Sequence, residues 1–194
     1  MFTSLGLRKF NVMSVTKIKK NIGDRFPLIN PFDRSEKKNI TDNLKDGERE
    51  IEVCQDFLHL VTWDGEPPLI EKLTHAEIEK LKTDFLEFRN DKPIYRHKCF
   101  LWIIDENSLK IAREKIRNTK RVLDPDYICH TNLTGSGKAY IGGEILFGED
   151  GFVYINNFSD RYGGPKTPPD LWMSTIELFK ELGYTKIIDI LELL

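Results

Sequence analysis

His130, Glu144 and Arg161 are the side chains of this sequence best suited to handling a small polar ligand, and all three fall in the glycine-rich stretch 127–165. A histidine there can hydrogen-bond a hydroxyl or serve as acid or base near neutral pH. Glu144 is the carboxylate that would face it, and Arg161 offers a planar fork able to grip a phosphate or carboxylate through two bonds. Thr131, Asn132, Asn156, Asn157, Ser159 and Tyr162 add neutral donors and acceptors around them. The expected site therefore has His130 and Glu144 as its catalytic pair and the other seven residues as ligand contacts. Each residue also has a plainer reading: His130 as a satisfied core histidine, Glu144 as a solvent-facing hairpin residue, Asn157 and Ser159 as turn formers. The clustering, more than any one residue, points to a site.

Several better-defined chemistries fail on spacing. Gly135-Ser136-Gly137-Lys138 resembles the end of a phosphate-binding loop, but the first glycine of that pattern falls on Asn132, and Ala139 stands where a magnesium-holding hydroxyl is needed. Cys129 and His130 are adjacent in a predicted strand and would point to opposite faces, which argues against zinc. No metal site and no cofactor is assigned.

The elements that must position these residues can be read from periodicity. Ala139 to Phe147 and Phe152 to Asn156 form two apolar segments around Gly148-Glu149-Asp150-Gly151, a hairpin with glycine at its turn. If Tyr127 to Cys129 is also a strand, the polar clusters 130–137 and 156–164 leave neighbouring strand ends. Cys99 to Asp105 and Leu109 to Ala112 make a second hairpin, and 105–123 is locally basic. Thr74-His75-Ala76-Glu77 has the form of a capping box opening a helix whose face is Ile78, Leu81, Phe85 and Phe88, ending near Asn90. A second helix starts at Pro168, with Thr167 as its cap, buries Leu171, Trp172, Ile176, Phe179 and Leu182, and stops at Gly183; Ile187 to Leu191 supply a last strand. The fold class is α+β: a single mixed or antiparallel sheet with two packed helices.

The totals bound the function. The chain has 194 residues, 40% of them apolar, a net charge of -2 and cysteines only at positions 54, 99 and 129. That composition fits one domain from about residue 48 onward, with a basic arm and loop over 1–47. The first 20 residues hold Arg8, Lys9, Lys17, Lys19 and Lys20 and no acid, and they read as a solvated edge or terminus that folding can do without. Three scattered cysteines fit reduced thiols and a cytoplasmic location rather than a disulfide framework. The near-neutral charge gives no pull towards nucleic acid, and no apolar run approaches the roughly 20 residues of a membrane span.

The pattern HTNLTG, then GGE, then INN.S.RYG resembles a C-terminal module of uncharacterised bacterial proteins over about residues 98–184. It is similar, more loosely, to a module of polymorphic-toxin and effector proteins. The resemblance implies that His130, Thr131, Glu144, Ser159, Arg161 and Tyr162 are the residues of interest. The set also resembles ADP-ribosyltransferases in composition, although Glu144 precedes Tyr162 where that family's glutamate follows its tyrosine. Two functions are therefore expected: a small enzyme or pocket for an anionic, nucleotide-like molecule, or a non-catalytic binding or interaction (immunity-type) protein with a protein partner.

Overall fold

The computed structural model describes residues 16–32, 70–91, 95, 97–113, 130–135, 137–164 and 167–193. Its centre is a five-stranded mixed sheet in the order β2-β1-β3-β4-β5. The strands are β1 (Phe100–Ile104), β2 (Leu109–Arg113), β3 (Ile141–Phe147), β4 (Val153–Asn156) and β5 (Ile187–Asp189). Both expected hairpins are present, β1 with β2 and β3 with β4; β1 also pairs antiparallel with β3, and β5 joins β4 in parallel. The last strand is shorter than the sequence predicts, because Ile190–Leu193 turns into a 3-10 helix.

Helices cover both faces of the sheet, so β1 and β3 are buried throughout and read as near-continuous apolar runs. One face carries α1 (His75–Thr83), α2 (Phe85–Asn90) and the short α3 (His130–Thr134); the other carries α4 (Pro169–Glu181). The expected capping box forms: Thr74 Oγ1 accepts from Glu77 N–H and Glu77 Oε2 accepts from Thr74 N–H. The helix it opens is not continuous to Asn90. Thr83 Oγ1 turns back onto the carbonyls of Glu79 and Lys80, and the carboxylate of Asp84 caps a new helix by accepting from Glu87 N–H at 2.8 Å.

α4 packs Leu171, Trp172, Leu178 and Phe179 onto the sheet, with Phe179 edge-on to Trp102 at 5.2 Å between centroids. Pro168 occupies its N-cap with no side-chain cap, which corrects the role expected of Thr167. Gly183, at φ 106°, closes the helix in a Schellman motif: Tyr184 N–H donates to Phe179 O and Gly183 N–H to Lys180 O. Phe179→Ala is expected to cost about 3–5 kcal/mol in a urea melt, since Phe179 is fully buried against Trp102 and Tyr184.

The basic N-terminal stretch departs from expectation. Ile18 and Ile22 are fully buried in the α4-side core, and a π-helical turn, Lys19–Gly23, lies against α4. Residues 16–20 are therefore part of the packed domain, which corrects the reading of all of 1–20 as a solvated edge or terminus. Ile29 exchanges both backbone hydrogen bonds with Ala139, and Phe32 N–H donates to Arg161 O. The domain boundary near 47, the apolar run 51–61, the strand expected at 127–129 and most of the basic run 105–123 lie outside the described residues. Among the described residues no helix is long and apolar enough to cross a membrane.

Candidate functional site

Side chains alternate across a strand, so Gly142, Glu144 and Leu146 of β3 face the α1/α2/α3 side while Gly143 faces α4. His130 opens α3 rather than continuing a strand, and its ring lies over the first of these positions: a Cβ on Gly142 would sit 3.1 Å from His130 Cδ2. His130 Nε2 is 2.8 Å from the carbonyl of Gly143. A carbonyl only accepts, so Nε2 carries the proton in this bond. His130 and Glu144 thus share one face of the sheet, as a catalytic pair requires, and both are buried.

Glu144 is engaged on both oxygens. Oε2 accepts from Tyr95 O–H at 2.6 Å and from Asn156 Nδ2 at 3.0 Å, and Oε1 accepts from Arg89 Nη2 at 3.3 Å. Asn156 is its direct partner across the β3–β4 ladder. The same asparagine turns Oδ1 to the backbone N–H groups of Glu144 and Phe158, tying strand, carboxylate and the following loop together. A carboxylate in a protein interior needs such a set, because an unpaired buried charge is costly. The electrostatics agree. Burial first, and then the charge of Glu144, hold the Tyr95 phenol well above its ordinary pKa. For Arg89 burial pulls downward, but Glu144 and Tyr95 outweigh it, so the guanidinium holds its proton more tightly than usual.

The glycines of GGE have separate structural reasons. Gly142 leaves room for the histidine ring. At Gly143 a Cβ would lie 1.9 Å from Asn156 O and 2.7 Å from Trp102 Cζ2. The bare strand lets the Trp102 indole cross β3 and donate Nε1–H to Glu144 O at 3.1 Å.

The remaining expected site residues hold loops. Ser159 Oγ accepts from the N–H groups of Tyr162 and Arg161, as a turn former does. The Tyr162 hydroxyl donates to Gly137 O at 2.6 Å and lies 2.8 Å from Thr134 Oγ1, joining the two polar clusters. Asn157 is buried, and its carbonyl accepts from Ser159 N–H and Gly164 N–H. Thr131 is fully buried, and Asn132 lies within α3. Arg161 donates Nη1–H to Phe32 O at 2.7 Å, which puts its fork to work on the 26–32 segment. Lys110, in the basic run, is paired with Asp105 at 2.7 Å.

Tyr95 and Arg89 were not foreseen. Arg89 follows the buried Phe88 at the end of α2, and its one mark is a cation bordering an apolar helix face, which any amphipathic helix shows and which does not say what lies beneath. Tyr95, two residues after Pro93, carries no comparable mark. Comparison with protein-family models, curated proteins and solved structures gives no match, so function is argued from this geometry alone.

Proposed function

We propose that this chain acts by binding rather than by chemistry, as a non-catalytic binding or interaction protein of the immunity type, and that Arg89 is its principal contact group. The observation that carries this reading is the state of Glu144: buried, with both oxygens engaged, it is a foundation for Arg89 more than a reagent. The Arg89 side chain remains 42% exposed, with its guanidinium 5.0 Å over the Phe158 ring. An arginine fixed from below by a carboxylate and from the side by an aromatic ring loses little further freedom on binding, and such residues dominate many interfaces. Its outward N–H groups suit a carbonyl or carboxylate on a protein partner.

The second reading, an enzyme or pocket for an anionic nucleotide-like molecule, draws support from His130 and Glu144 standing on one face of the sheet. Calorimetry against a panel of mono-, di- and trinucleotides separates the two. The binding reading expects no saturable heat and no turnover, with Glu144→Gln lowering the melting temperature. Saturable nucleotide binding, with turnover lost in both His130→Ala and Glu144→Gln, would replace it by the enzyme.

A further inference from the structure

The sheet ends in two unlike edges. At the β2 end Leu109, Ile111 and Ala112 are buried, so no second chain can lie along that strand. At the other end Ile187, Ile188 and Asp189 of β5 are only half-buried. The parallel β4–β5 ladder sets Val153 opposite Ile187, and Val153 N–H donates to Lys186 O. In such a ladder the bonds to the neighbour fall on every second residue, here Lys186 and Ile188, so the N–H and C=O of Ile187 and the N–H of Asp189 point away from the sheet. Among the described residues no hydrogen bond meets them.

We propose that β5 is an edge for self-association: two copies of this chain pair β5 against β5, antiparallel about a two-fold axis, and so join their sheets into one. An unpaired edge is a template for another strand, and folded proteins ordinarily blunt it with charge, proline or a bulge. Here the charges that could do so are drawn inward. Asp189 accepts from Trp172 Nε1–H at 2.6 Å and from Leu191 N–H at 2.9 Å, and Lys186 Nζ lies 5.6 Å over the Phe152 ring. What the edge shows a neighbour is therefore backbone, flanked by Ile187 on the α4 side and Ile188 on the other. Closure favours a second copy as the occupant. With the β2 edge buried, a β5-to-β2 contact that would grow into a filament is barred; among the edges of this chain β5 can meet only its own equivalent, which closes at two copies. A net charge of -2 sets little repulsion against the pairing. Three residues give few bonds, so the dimer is weak and depends on concentration.

The test is sedimentation equilibrium of the full chain from about 10 µM to about 1 mM, with amide hydrogen exchange measured at both ends of that range. The weight-average mass is expected to rise towards twice that of one chain. The Ile187 amide should gain protection only in the concentrated sample, while that of Ile188, bonded to β4, is protected in both. Ile187→Pro deletes an N–H that the fold does not use and should weaken association about tenfold or more, the worth of two symmetry-related hydrogen bonds. If that variant does not fold, the exchange pattern of the parent chain decides alone. A mass that stays at one chain throughout, a dimer in which Ile187 exchanges as fast as in the dilute sample, a folded Ile187→Pro variant that associates like the parent, or assemblies that grow past two chains would each overturn the proposal.

Discussion

Gly143→Ala is expected to leave little or no cooperatively folded protein, with a loss of about 4 kcal/mol or more against a typical domain stability of about 5–15 kcal/mol. The added carbon would lie 1.9 Å from a backbone oxygen of β4, which no rotamer change can relieve. Either β3 and β4 separate at the Glu144–Asn156 pair, or Trp102 leaves its place across the strand, and each outcome opens a core. Circular dichroism during a thermal melt is the measurement, and Gly135→Ala is the control. Gly135 has φ 59° but no atom within 4 Å of the added carbon, so only the left-handed backbone penalises it, by about 1–2 kcal/mol. Equal behaviour of the two variants would mean that β3 and β4 are not in the contact described.

The second large effect is expected at Glu144. Glu144→Ala removes the common acceptor of Tyr95, Asn156 and Arg89 and should cost about 3–5 kcal/mol in a urea melt. Tyr95 and Asn156 account for most of this, since both are buried, while Arg89 can turn to water. Glu144→Gln, which keeps the shape and one acceptor, should lose about 1.5–3 kcal/mol. Tyr95 adds a pH signature. Its folded pKa is raised, so its contribution is intact below the ordinary phenol value of about 10 and declines as pH rises beyond it, where the unfolded chain ionises first. Tyr95→Phe should flatten that alkaline decline. A Glu144→Ala variant as stable as the parent would show that the carboxylate is not the hub of the cluster.

Much of the fold was legible because its signals are local. Alternating apolar residues on either side of Gly148–Gly151 mark the β3–β4 hairpin, and the reciprocal Thr74–Glu77 pattern marks the start of α1. The break at Asp84 was hidden because Ile78, Leu81, Phe85 and Phe88 keep helical spacing across it, and periodicity cannot distinguish one helix from two that share a face. Ile18 and Ile22 were hidden for the opposite reason: a run of lysines around two isoleucines looks solvated until α4 is brought to it from far along the chain. At the site, composition singled out His130, Glu144 and Asn156, and it is the fold that brings them to one face of the sheet. Composition could not foresee that Arg161 serves Phe32, or that Tyr95 and Arg89 complete the cluster, because those pairings join residues with no shared local pattern.

The packing of the 16–32 segment against α4 has a consequence for how the domain comes together during synthesis. Lys17 reaches the carbonyl of Glu181, 164 positions away, and Ile18 and Ile22 share a core with Leu178 and Phe179. Contacts at such separation carry a loop-closure cost that local contacts do not, so they are expected to form late. Synthesis makes the buried isoleucines long before their cover, since Ile18 and Ile22 precede α4 by most of the chain. Residues 16–32 and 169–181 therefore form a closing seam: Ile18 and Ile22 stay uncovered until α4 packs on them.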